Sequence, residues 1–179
     1  MRFSFLLKYG HAPAYIFVLN FDPNNPKHKE HIFRGNYHRG CIGKHVSDPD
    51  IIPEIGKIAY EDSAILIKPT GIIYATNVQL VDVDPVDIYE KSQITQKTKD
   101  KDSNKLYGFT EKEEGTRNYS SLGASFHLPG TVIYALGEKG NIRRFQKGII
   151  TYSTIDEEQE IAKQRIEEVF KKLLQKKTE

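Results

Sequence analysis

Glu114-Gly115-Thr116-Arg117-Asn118-Tyr119-Ser120-Ser121-Leu122-Gly123-Ala124-Ser125 is the stretch of this chain that carries most information about its fold and chemistry. Gly115 lets backbone approach a ligand closely, Thr116 brings a hydroxyl that can donate, and Arg117 offers a planar fork that matches a phosphate bidentately. Together these residue types suit an anion. The same tripeptide also occurs in ordinary surface turns with a solvated arginine, so its context must decide.

Downstream, Ser120 to Ala124 reads as the start of a short helix and Thr131 to Leu136 as a strand. Glu138 to Asn141 is a turn, and Ile142 to Gly148 and Ile149 to Tyr152 are further strands. The clearest helix follows. Thr154-Ile155-Asp156-Glu157 has capping-box spacing, acids crowd its start and lysines its end. Ile155, Ala162, Ile166, Val169 and Leu173 form an apolar seam that Phe170 and Leu174 widen, as a core-packing helix or a connector to a partner would.

Upstream, Ala14 to Asn20 is a continuous apolar, β-rich run that predicts a strand buried on both faces. Asp22-Pro23-Asn24-Asn25-Pro26 ends it, and His31-Ile32-Phe33 is expected to pair with it. Ile51, Ile55, Ile58 and Ala59 fall at helical spacing, with Asp48 or Asp50 as the cap and Pro53 tolerated only in the first turn. Asp62 to Lys68 and Ile72 to Val78, joined by Pro69-Thr70-Gly71, read as a hairpin. Glu90 to Lys105 has almost nothing to bury and predicts a mobile polar loop, either plain disorder or a lid over a ligand.

A chain of 179 residues suits one α/β core, here residues 1–153 with a mobile loop at about 90–108, plus a C-terminal amphipathic helix over 154–179. The near-balanced charge of +2, with scattered lysines, argues against a nucleic-acid surface. No stretch approaches the roughly 20 apolar residues of a membrane helix, and Phe3 to Leu7 is too short for a signal-peptide core. A soluble, cytoplasmic protein is expected. The lone Cys41 excludes an internal disulfide and fits a reducing compartment.

The order of these elements resembles the diadenylate cyclase (DAC) domain. The resemblance rests on Asp62-Ser63-Ala64 opening the hairpin, then Gly115-Thr116-Arg117, Leu122-Gly123-Ala124-Ser125, Thr131-Val132-Ile133-Tyr134 and Gly137-Glu138-Lys139-Gly140. In that family the corresponding motifs read Asp-Gly-Ala, Gly-Thr-Arg-His-Arg, Leu-Gly-x-Ser-Glu and Glu-x-Gly. The match covers roughly Ala14 to Gly148 and runs without a gap from Gly115 to Gly140. It implies an α/β domain with a central mixed β-sheet flanked by helices, binding ATP. Family enzymes join two ATP into cyclic di-AMP when two domains meet face to face, with Mg or Mn assisting. Alignment and cationic stabilisation of the phosphates dominate such chemistry.

The carry-over is partial. Asp62 matches the family's catalytic acid and metal ligand, and Thr116 and Arg117 are retained. The resemblance also assigns Ser63, Ala64, Gly115, Asn118 and Ser125 to the nucleotide site. Ser63 replaces glycine, Asn118 and Tyr119 stand where the family has His and a second Arg, and Phe126 stands where it has Glu. Charge-assisted hydrogen bonds are about twice as strong as neutral ones, and one lost transition-state donor costs about 100-fold to 1000-fold in rate. The expectation is therefore a sensor that binds adenine nucleotide or cyclic dinucleotide, self-associates, and signals through the C-terminal helix. An active cyclase and a non-binding assembly module are the alternatives.

His28-x-x-His31 and His38-x-x-Cys41 also have the paired spacing of zinc ligands. Surface histidines are the competing account. Tyr15, Phe17, Tyr74 and Tyr134 alternate with aliphatics at strand spacing and read as core.

Overall fold

The computed structural model describes residues 14–34, 40–58, 63–84, 108–110, 116–137 and 139–175. Its strands are β1 (Tyr15–Leu19), β2 (Ile32–Arg34), β3 (Ala64–Ile67), β4 (Ile73–Leu80), β5 (Val132–Leu136), β6 (Ile142–Gln146) and β7 (Ile149–Ser153). The helices are α1 (Pro26–Glu30), α2 (Ile52–Ile58), α3 (Thr116–His127) and α4 (Asp156–Gln175). All seven strands form one mixed sheet, in the order β2-β4-β3-β1-β5-β6-β7. The protein is thus a single α/β unit across the described residues.

Among the described strands only β1 and β3 run parallel, with Ile16 beside Ala64 and Val18 beside Leu66. Parallel neighbours need a crossover connection. Residues between β1 and β3 supply it, including α2, whose preceding 3-10 turn is capped by the Asp48 side chain accepting from the Asp50 N–H. Pro53 sits in the first turn of α2, where its missing N–H has no helical acceptor to lose.

The expected β3–β4 hairpin is present and antiparallel. Two register shifts interrupt it, and Asn77 adopts φ 53°, a left-handed conformation that asparagine tolerates at a bulge. The pairing expected for β2 is corrected: β2 runs antiparallel to β4, with Ile32 opposite Leu80, and lies far from β1 in the sheet. A three-residue strand carries too little pattern to choose its own partner, and the backbone bond from Val81 N–H to His31 carbonyl extends the choice of β4.

The two sheet faces are covered unequally. Ile16, Val18, Ala64, Leu66, Ala75 and Val78 join the main core with Leu122 and Ala124 of α3 and Ala162 of α4. The opposite face is a smaller cluster of Cys41, Ile51, Ile58, Ile65, Ile67 and Ile73, against which Tyr15, Phe17 and Leu19 are only half-buried. So β1 alternates between buried and half-buried positions instead of being fully enclosed on both faces. Among the described residues that face is covered by one short helix and its turns, where α3 and α4 cover the other.

At the far edge, β6 and β7 meet in a two-residue turn at Lys147 (φ 52°) and Gly148 (φ 75°). Two left-handed residues are what the right-handed twist of a tight hairpin demands. The strand therefore ends at Gln146, two residues before the sequence pattern would end it.

Of the predicted C-terminal seam, Ala162 is buried and Ile155 and Ile166 are half-buried. The side chains of Val169, Phe170, Leu173 and Leu174, like the predicted loop from Glu90 to Lys105, lie outside the described residues.

Candidate functional site

Thr116, Arg117 and Asn118 form the first turn of α3. The helix begins four residues before its sequence-based start at Ser120, so the suspected phosphate tripeptide is itself helical from Thr116 onward. The first N–H groups of a helix have no acceptor within it and carry the positive end of the dipole, which favours an anion there. Thr116 is exposed, and Arg117 and Asn118 are half-buried.

The sheet end at which this turn lies follows from the connections. Helix α3 packs on β5 and β6, and the chain reverses through Leu128 to Thr131, where Thr131 N–H donates to Leu128 carbonyl at 3.2 Å. A 12-residue helix spans about 18 Å, and the 5-residue strand β5 spans about 17 Å. The first turn of α3 therefore overlies the end of β5 near Leu136. There Leu136 pairs with Tyr15 and Ala135 with Ile16, which also neighbours Ala64. Ser63 and Ala64, both buried, open β3 at that same end. Asp62 and Gly115, the expected acid and phosphate-loop glycine, lie outside the described residues.

The remaining motif positions are committed to packing. The Ser125 hydroxyl is 2% exposed, donates to Leu122 carbonyl at 2.8 Å and accepts from Gly148 N–H at 3.0 Å. Lys147 N–H donates to the Ser125 carbonyl at 3.0 Å. Ser125 thus clamps the β6–β7 turn to α3, and its side chain points to that hairpin. Tyr119 meets Phe109 edge-on with centroids 5.6 Å apart, a favourable aromatic geometry. Phe126 packs against the main core and stands perpendicular to the His127 ring.

Sequence reading missed a buried charged group beneath this turn. Arg143 of β6 donates from Nε to Glu158 Oε2 at 2.7 Å and from Nη2 to Oε1 at 2.8 Å, with the two side chains 3% and 0% exposed. Ser153 Oγ donates to Glu158 Oε2 at 2.7 Å, and Thr110 N–H reaches Oε1 at 3.3 Å. The Arg143 guanidinium also lies 5.4 Å from the centre of the Phe109 ring. Removing one partner of such a pair costs about 3 to 5 kcal/mol, because the other charge is left buried. The signal was present in the sequence: Arg143 shares a strand face with Phe145, and Glu158 lies one helical turn before Ala162.

The histidine and cysteine spacing does not become a convergent metal site among the described residues, where no group of three such ligands gathers. His28 is 1% exposed and has both ring nitrogens engaged: Nδ1 accepts from Asp22 N–H and Nε2 donates to Pro129 carbonyl, each at 3.0 Å. His31 directs Nδ1 to Val81 carbonyl and packs its ring 4.8 Å from that of His127. Cys41 is buried in the cluster on the other sheet face. Burial first, and the nearby Glu54 second, push its thiol above the usual pKa, which disfavours the thiolate a metal requires. His38 lies outside the described residues.

Among the described residues no helix is long and apolar enough to cross a membrane. No protein-family model matches this chain, and no curated protein matches it.

Proposed function

We propose that this chain is a divergent diadenylate cyclase-like domain that binds adenine nucleotide or cyclic dinucleotide as a sensor. The observation that carries the reading is the position of Thr116 and Arg117 in the first turn of α3, at the sheet end where Ser63 and Ala64 open β3. A guanidinium carried on the first turn of a helix is suited to a phosphate, through its planar fork and the positive end of the helix dipole.

Turnover is disfavoured by the same residues. The second cation of the family motif is replaced by Tyr119, which packs on Phe109, and its glutamate by Phe126, which packs on the core. The family's metal ligand corresponds to Asp62, which lies outside the described residues. Binding through Arg117 and the helix N–H groups needs no metal. In this reading α4 is the output element, linking nucleotide occupancy to a partner or to a second copy of the domain.

Calorimetric titration with ATP and with cyclic di-AMP tests the proposal. Wild-type protein is expected to bind at least one of them and Arg117→Ala to bind neither. Binding unaffected by Arg117→Ala would remove the site, and absence of any binding would leave the assembly module. Incubation with ATP and Mn²⁺ separates sensor from enzyme, since appreciable cyclic di-AMP would make the domain a cyclase.

A further inference from the structure

We propose that α4 controls the first turn of α3 through a buried relay of four side chains, Tyr119, Phe109, Arg143 and Glu158, a proposal that rests on the reading of that turn as the anion site. Each link is a direct contact. Tyr119, two residues after Arg117, lies edge-on to Phe109 at 5.6 Å, and the fully buried Phe109 ring has the Arg143 guanidinium at 5.4 Å. Arg143 is held by two hydrogen bonds to Glu158, in the first turn of α4.

The strap formed by residues 108–110 is gripped by α4 at both ends. Thr110 N–H donates to Glu158 Oε1 at 3.3 Å. At the other end Gly108 (φ +90°) lies against Arg165, whose Nη1 would be 2.8 Å from any β-carbon added there. Burial lowers the pKa of Arg165, as expected for a guanidinium packed against the strap.

The relay has two arrangements instead of a continuum. With α4 docked, the Glu158 carboxylate collects donors from Arg143, Ser153 and Thr110. A small displacement of α4 strips a fully buried carboxylate of these donors together, so the first turn of α4 is either seated or released. Seated, it fixes Phe109 and through it Tyr119 on the turn that carries Arg117. Released, it frees both. Linkage makes the effect reciprocal, so a phosphate ligand that needs the ordered turn holds α4 down, and a partner that draws α4 away weakens the ligand.

Hydrogen exchange on the intact chain tests this with and without ATP. The amides of residues 120–122 report the first turn of α3, because they close on the carbonyls of residues 116–118. In the ligand-free protein, Glu158→Gln, which preserves shape, and Phe109→Leu, which interrupts the relay away from α4, are each expected to speed exchange at 120–122 about tenfold beyond the acceleration at β1 and β5, which reports the global loss of stability. Exchange that rises only around residues 153–159 in Glu158→Gln, and nowhere in α3 in Phe109→Leu, overturns the relay. With ATP, wild-type amides of α4 between 158 and 166 are expected to slow, and Phe109→Leu to abolish that slowing while retaining binding. ATP that binds without affecting wild-type α4 overturns the relay and leaves the nucleotide reading standing. If ATP does not bind, the nucleotide reading falls, and with it the regulatory role, whatever the ligand-free exchange shows of the contact chain.

Discussion

The backbone carbonyl oxygen of Val83 lies 1.7 Å from where a β-carbon on Gly123 would be built. The segment leaving β4 therefore runs directly against the middle of α3, and no side chain fits between them. Glycine costs a helix interior about 1 kcal/mol relative to alanine, so its presence here reflects close approach.

Gly123→Ala is accordingly expected to destabilise the protein although alanine is the better helix former. The loss should be about 1 to 3 kcal/mol, the range of overpacked cores, read as a lowered urea midpoint. An unchanged midpoint would mean that α3 does not sit this close to Val83.

Ser125→Ala removes the hydroxyl that accepts from Gly148 N–H. Leaving a buried N–H unsatisfied costs about 1 to 3 kcal/mol, and amides of the β6–β7 turn should lose exchange protection before those of β1. If Ser125 instead served only a ligand, stability would be unaltered and binding alone would fall.

Ser121 presents the opposite case. Its hydroxyl is buried with no hydrogen-bond partner among the described residues, and alanine has the higher helix propensity by about 0.5 kcal/mol. Ser121→Ala should therefore match or exceed wild type in thermal melting. A clear loss of stability would show that the hydroxyl has a partner in solution.

Burial raises the Cys41 thiol above its ordinary pKa, with the Glu54 carboxylate adding to the shift and Lys44 and Lys57 opposing it. The folded state thus binds this proton more tightly than the unfolded state. Its stabilising contribution is fully present below the ordinary thiol pKa and is lost as pH rises through the raised value. Iodoacetamide at pH 8 should label the native protein much more slowly than the urea-unfolded chain. Comparing urea midpoints of wild type and Cys41→Ala from pH 7 to 10 isolates the thiol, and parallel pH profiles would refute its contribution.

Much of the architecture was legible because it is local. The apolar runs of β1, β3, β4, β5 and β6 and the turn residues between β3 and β4 predict their own conformation. The end of β6 was less legible, since Lys147 takes a left-handed conformation that lysine does not advertise. The start of α3 was illegible for another reason. Of its first five residues only Arg117 is a good helix former, Thr116, Asn118, Tyr119 and Ser120 having modest propensity, and they become helical as an extension of Leu122 and Ala124, which pack into the core.

The candidate site divides in the same way. Residue types alone mark Thr116 and Arg117 as suited to an anion, and they mark Asn118, Tyr119 and Phe126 as poor replacements for charged groups. That Ser125 clamps a hairpin, that His28 is a satisfied core histidine, and that Tyr119 rests on Phe109 above a buried ion pair could be learned only from the fold.

By itself, the sequence determined an α/β chain with a continuous apolar first strand, a β3–β4 hairpin and a well-marked C-terminal helix, because these follow from periodicity and turn chemistry over a few residues. Only the tertiary structure decided which strand β2 would join, which sheet face would be fully covered, and that Arg143 of β6 and Glu158 of α4 would meet beneath the first turn of α3. Such pairings depend on packing between segments whose local preferences carry no record of their eventual neighbours.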